Sequence, residues 1–469
     1  MNDPLRLSLV ELTGALRARK LSPVELMNAV FKRLDERNAE LNSVVAMYDR
    51  EALLASARES EARIARGAAR PLEGVPLGVK DLEDCAGLVT SHGSIPYKDN
   101  LAEHDSVQVG RLRGAGAIPI GKTNAPEFGY TAITKNLIFG VTRNPWNLEL
   151  TPGGSSGGSS SALAACMLPL VTASDGGGST RIPACFVGAF GLKPTYGRIP
   201  NESHSLWYYG DTAVQGPLTK TVADNALYLD VTAGYAPEDP SSLPHPGFSY
   251  TEKLVDGVPR KLRIAYSADL GYAVVQSDIA QAVYDAARLF EKLGHELHEI
   301  KGGPPKMGQA WGMWGAFEMA AANLQHLPAR EADFNRSVLA SMKLAWQMTP
   351  EWFREQAMRR LELSRWCQSV FSEFDLLITP TVPFDPPPAK GPFPRETEGR
   401  EQLDWGVASF TIPFNLSLHP AASLRVGLSR AGLPIGMQIV AERHRDELVL
   451  QAAHAFERER PWHPQWPVR

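Results

Sequence analysis

The chain has 469 residues, of which 43% are hydrophobic and 21% charged, and its formal net charge is -4. These are ordinary values for a folded protein with a large apolar core. No basic tract and no stripe of Lys and Arg interleaved with aromatics is present, which excludes nucleic acid as the main ligand. The length exceeds the ~250–300 residues at which single cores usually split, a soft limit that large α/β enzymes pass as one unit. Cys85, Cys166, Cys185 and Cys367 have neither metal-ligand nor redox-motif spacing and read as reduced core residues of a cytoplasmic protein. Met1 to Val10 lacks the apolar stretch of a signal peptide, and the longest apolar run, Ala162 to Ala173, is too short for a bilayer and contains Pro169.

Residues 8–66 read as helical. Ser8 with Glu11, and Ser22 with Glu25, have capping-box spacing, and Pro23 suits a first helical position. Leu26, Val30, Phe31 and Leu34 recur at helical spacing, and Ala52 to Ala65 has the composition of a solvated helix. From Pro71 the texture changes. Gly74 to Asp81 is a short apolar strand carrying one lysine, Lys80. Asp105 to Gly114 reads as a helix capped by Asp105, and Ala117 to Ile120 as a buried strand. The run 162–173 reads as a helix leading into a buried strand. Residues 260–300 have the pattern of one β-α-β step, and 307–371 are helical and rich in Met, Trp and Phe. Leu376 to Ile378 is a strand entering the Pro-rich segment 380–394, which reads as an ordered surface loop. A strand at 435–440 and a helix at 446–457 close the chain. This alternation predicts an α/β fold with a largely buried sheet.

Two motifs mislead. Gly116 to Thr123 fits the phosphate-binding G-x-x-x-x-G-K-T pattern, but a helix precedes it, its middle is apolar, and Pro126 interrupts the helix that should follow. Gly153 to Gly158 fits G-x-S-x-G around Ser155 or Ser156, but Pro152 and the glycines imply an extended loop, not a strand-to-helix elbow. A Ser-His-Asp site would also need one of His295, His298, His326 or His419, and none has a telling neighbour.

A third cluster, Ser174 to Pro183, sets Gly176, Gly177 and Gly178 before Ser179. Successive glycines allow tight or left-handed backbone, so their N–H groups can converge beside a hydroxyl, as acyl transfer requires. A flexible turn has the same composition. Lys80 in its apolar strand should have a lowered pKa and act as a base once neutral, unless it pairs with Asp81 or Asp84 or reaches solvent.

Together these pieces resemble the amidase signature family. The resemblance rests on Lys80-Asp81, Pro152 to Ser159, Ser174 to Ala184 and Gly191 to Arg198, in that order. Further landmarks are Gly121 to Asn124, Glu127-Phe128, Asn144-Pro145, Gly216 to Thr219 and Gly432 to Gln438. The resemblance implies one α/β/α domain over residues 1–469, with a large mixed β-sheet covered by helices. Within it lie an N-terminal helical segment (1–66), a signature core (74–230) and a variable helical region (307–371). It implies a catalytic Ser179 as nucleophile, Ser155 as relay with a cis peptide bond to Gly154, and Lys80 as base. The N–H groups of Gly176, Gly177, Gly178 and Ser179 would stabilise the oxyanion, and Asp175 and Arg181 would fix the glycine loop. Gly176 departs from the Thr or Ile of many relatives. No cofactor or metal is implied. The expected partner is a small-molecule amide or carbamate, with no nucleic acid, no membrane, and a homodimer as one allowed assembly.

The substrate is less legible. Met307, Trp311, Met313, Trp314, Phe317 and Met319 fit core packing, or a pocket for an aryl or hydrophobic amide, anilide or carbamate. Trp207-Tyr208-Tyr209 could extend that wall. Two alternatives share the motifs: the glutamine-hydrolysing component of a tRNA-dependent amidotransferase, and a catalytically silent binding protein.

Overall fold

The computed structural model describes residues 3–201, 211–463 and 465–467. Its centre is one sheet of eleven strands. In chain order these are β1 (Val44–Met47), β2 (Pro76–Lys80), β3 (Ile118–Thr123), β4 (Leu170–Asp175), β5 (Phe190–Lys193), β6 (Val214–Thr219), β7 (Arg263–Tyr266), β8 (Glu296–Glu299), β9 (Leu376–Pro380), β10 (Ala421–Leu428) and β11 (Pro434–Ala441). Their spatial order is β1-β3-β2-β4-β6-β5-β10-β11-β9-β7-β8. The pairs β2–β3, β2–β4, β7–β9 and β7–β8 are parallel, and the other pairs are antiparallel. The fold is the mixed, helix-covered sheet expected of the family. β2, β3, β6, β9 and β11 are buried along their whole length, as strands covered on both faces must be. The edge strands β1 and β8 are half exposed.

Many local expectations hold. Ser8 and Ser22 close full capping boxes, on helices Leu9–Arg17 and Pro23–Leu41. The β-α-β step is β7, the helix Ser277–Ala287 and β8 in parallel register. The region 307–371 forms the helices Gly308–Ala322, Arg336–Ala345 and Pro350–Glu373. Four corrections concern local signals overridden by tertiary ones. The region read as helical to residue 66 is interrupted by β1, whose run of Val44, Val45 and Met47 adds an edge to β3. Asp105 is not the cap of its helix: Ser106 accepts from Val109 N–H, while Asp105 accepts from Arg113 and from Ala86 N–H. The strand at 117 runs on through Lys122 to Thr123. The segment 380–394 is ordered but not merely superficial. Thr151 N–H donates to Pro387 O at 2.9 Å and Ala389 N–H to Glu149 O at 2.8 Å, so it is laced to the loop before Ser155. All four cysteines are buried and free. Among the described residues no helix is long and apolar enough to cross a membrane.

β3 also disposes of the phosphate-loop motif. Lys122 is wholly buried inside a strand, 4.0 Å from Asp81 and 3.1 Å from Thr90 Oγ1, and also donates to Glu83 O.

Candidate active site

Lys80 ends β2, and Ser174 and Asp175 end the neighbouring parallel strand β4. Ligand sites of α/β sheets form at such carboxyl ends. Lys80 is fully buried, with Nζ 2.9 Å from Ser155 Oγ and 2.9 Å from Ser174 Oγ. The alternative pairing with Asp81 does not occur, because Asp81 faces Lys122 and accepts from Ser91. Burial lowers Lys80 to about 7, although Glu83 and Asp175 favour its charged form. Burial likewise raises the Glu83 carboxyl.

Ser155 lies in a loop before the buried helix Gly157–Ala164, and its peptide bond to Gly154 is cis. No strand leads into it, so it is no nucleophile elbow. The serines of this helix bond backbone: Ser159 Oγ donates to Thr172 O and Ser160 Oγ to Pro152 O. Ser156 N–H donates to Ser179 O at 3.3 Å, which ties the two serine loops together.

Ser179 is partly buried and sits ahead of the short helix Arg181–Val187. The loop before it is held through three successive carbonyls. Asn415 donates to Asp175 O, Trp311 Nε1 to Gly176 O, and Thr411 Oγ1 to Gly177 O, at 2.8, 2.8 and 2.7 Å. The left-handed freedom expected of three glycines is used at Gly178, with φ 132°. Gly177 instead provides room, since a Cβ there would collide with the Trp311 ring. The oxyanion set needs one correction. Gly178 N–H donates to Asp175 Oδ1 at 2.7 Å and is spent on that carboxylate.

Asp175 and Arg181 are an ion pair of which neither side chain reaches solvent. Burial pushes Asp175 up, but Arg181 and Asn415 outweigh it and hold the carboxyl well below the usual range. Arg181 also donates to Thr411 O and Gln438 Oε1, so its charge is fully hydrogen-bonded. Arg181→Met takes the guanidinium away from a buried carboxylate and should lower unfolding stability by about 3–5 kcal/mol, read as a lower urea midpoint.

Ser179 opens into a cavity of about 600 Å³ walled by Tyr130, Ile182, Trp311, Phe384, Phe393 and Trp405, with Arg395, Glu401 and Asp404 also along its lining. Ser155, Ser174 and His92 line a smaller space that also reaches Ser179. Burial lowers His92 to about 4, so it is neutral near pH 7. His295, His298, His326 and His419 line neither space. Of the six large side chains singled out in 307–319, Trp311 alone is on the cavity wall. Met307 and Met319 are core, and Trp314 and Phe317 pack on Phe353. Trp207, Tyr208 and Tyr209 lie outside the described residues. Sequence reading missed the roles of Ser174, Thr411, Asn415 and Trp405. Ser174 stood in a motif without a task, and the others carry no local signal.

The model of the family described as Amidase matches residues 25–450. The chain belongs to the amidase signature family, and it is an amidase, a hydrolase of amide C–N bonds. It is 38% identical to an acylamidase of Rhodococcus erythropolis, over 98% of this chain and 97% of that protein. It is 32% identical to the A component of the glutamyl-tRNA(Gln) amidotransferase of Geobacter sp. (strain M21), over 97% and 98% of the two chains. Its fold is similar to that of a bacterial aryl acylamidase, with TM-score 0.92, 30% identity and coverage of 98% and 97%. It is also similar to 6-aminohexanoate cyclic dimer hydrolase, with TM-score 0.86, 30% identity and 98% coverage of both chains.

Proposed function

We propose that the chain hydrolyses amides carrying an aryl or other bulky apolar group, anilides and carbamates among them, through an acyl-enzyme on Ser179. The observation that carries this reading is the buried Lys80 Nζ, 2.9 Å from Ser155 Oγ, beside an aromatic cavity into which Ser179 opens. Neutral Lys80 accepts the Ser155 proton, and Ser155 accepts that of Ser179. Ser179 Oγ bonds to the carbonyl carbon, and the C=O pair moves onto oxygen. The donors proposed for that oxyanion are the N–H groups of Gly176, Gly177 and Ser179. Ser155 passes its proton to the nitrogen and takes one back from protonated Lys80, the C–N bond breaks to release the amine, and water repeats the sequence on the ester. The names of the acylamidase relatives favour the same substrate class.

A panel of amides, anilides, esters and carbamates tests it with the purified chain alone. Aryl substrates should exceed acetamide in kcat/KM by at least about tenfold, since each methylene an apolar pocket buries discriminates by about that much. A higher rate on small aliphatic amides would sink the substrate class. The similarity to the glutamyl-tRNA(Gln) amidotransferase component supports a second reading, glutamine hydrolysis dependent on a partner protein. Efficient turnover of anilides by the isolated chain argues against it.

A further inference from the structure

Trp311 stands in the first turn of the helix Gly308–Ala322, and only 7% of its surface is exposed. Its two edges face different tasks. One flank forms the cavity wall and meets Trp405 edge-on, at 5.3 Å between ring centroids, and Trp405 in turn meets Tyr130 at 5.6 Å. Gly312, one position along the helix, lets the Trp405 ring approach, since a Cβ there would collide with it. The other edge carries Nε1, which donates to Gly176 O at 2.8 Å.

That carbonyl belongs to the same planar peptide group as the N–H of Gly177. In a trans peptide the two point in opposite directions, so fixing the carbonyl fixes the N–H. The neighbouring peptide obeys the same rule visibly: Thr411 holds Gly177 O, and the N–H of Gly178 is turned to Asp175. The ring also lies against Gly177 closely enough to forbid a side chain there. Thr212 Oγ1 donates to the same carbonyl at a longer 3.3 Å, so the peptide is clamped by two hydrogen bonds on one atom, the shorter from Trp311, and by an aromatic surface beside the next.

We propose that Trp311 is a positioning residue that aims the Gly177 N–H at the substrate oxyanion, so that the cavity wall and the oxyanion loop share one side chain. This rests on the reading of Ser179 as nucleophile. The bond from Trp311 is present before substrate arrives, and its effect is felt when negative charge develops on the carbonyl oxygen. It belongs to kcat and not to ground-state binding.

Trp311→Phe keeps a ring in the wall and removes the donor. For an anilide, kcat should fall about 10- to 100-fold, less than deletion of an oxyanion donor costs, with KM within about twofold. An aryl trifluoromethyl ketone, whose adduct with Ser179 Oγ carries an oxyanion, should lose affinity by the same factor as kcat. Trp311→His, which retains a ring N–H, should recover part of both. Unchanged kcat overturns the proposal. So does a rise in KM alone, which makes Trp311 a wall and nothing more, or a fall in kcat with undiminished ketone affinity. Should Trp311→Phe not fold, 3-benzothienylalanine at position 311 replaces the N–H by sulfur in a bicycle of nearly the same shape, and the same outcomes apply. If wild type turns over no amide and takes no ketone, the reading of the site fails and this inference with it. If wild type is active and Trp311→Phe matches it, only this inference fails.

Discussion

Ser179→Ala should lower kcat on any amide substrate by more than about 10⁴-fold, the scale on which loss of a serine nucleophile is felt, and leave the melting temperature close to that of wild type. The first half follows from chemistry. Without Oγ no acyl-enzyme forms, and what remains is binding plus the oxyanion donors acting on water. The second half follows from position. Ser179 is partly exposed at the cavity, and the contact that ties its loop to Ser156 uses its backbone carbonyl, which alanine retains. A fluorophosphonate probe should label wild type at Ser179 and leave the variant untouched. Substantial turnover by the variant, with the label still taken up elsewhere, would move the nucleophile to another hydroxyl and would falsify the order of proton transfer proposed for this site.

The parts of the site legible in the sequence are those fixed by short-range grammar. A lysine in an apolar strand, a Pro-Gly-Gly-Ser-Ser run and three glycines before a serine each imply a local conformation, and the structure contains the strand, the extended loop and the tight turn. None of those conformations says what they face. Joining Lys80 to Ser155 required the resemblance, because β2 and the loop at 155 meet through the parallel register of β2 and β4. What holds the glycine turn was not legible at all. Thr411 and Asn415 reach it from the far end of the chain, and Trp311 from the first turn of a helix whose composition is equally good for core. The glycine loop shows the limit most clearly. Three glycines offered three equivalent donors, and only the structure shows Asp175 taking the third. The antiparallel strands β5, β6 and β10 escaped for a related reason: each is short or interrupted by glycine or proline, and gains its strand character from neighbours distant in sequence.

Lys80→Met should cost about 10²–10⁴-fold in kcat/KM, the usual worth of a positioned general base, while the protein folds as well as wild type or better. Methionine replaces the stem of the lysine nearly atom for atom, and the site no longer has to bury an ammonium. The wild-type pH profile identifies the base. Burial has brought Lys80 down to about 7, with Glu83 and Asp175 acting in the opposite sense. In the proposed mechanism the active form is the neutral one, so kcat/KM should rise with pH, tenfold per unit on the acid side, and level off once Lys80 has lost its proton. Because Lys80 and Glu83 are buried close together and both titrate near neutrality, the midpoint belongs to the pair and not to the lysine alone. Lys80→Met should abolish that rising limb and leave a flat, low profile. A variant that kept the wild-type limb would assign it to another group. The relay adds a sharper demand. If Lys80 acts only through Ser155, the double variant Lys80→Met, Ser155→Ala should be no slower than the worse of the two single variants, since residues that work as one unit do not add. Multiplying losses would mean that each acts on the substrate by its own route, and the chain from Lys80 through Ser155 to Ser179 would have to be redrawn.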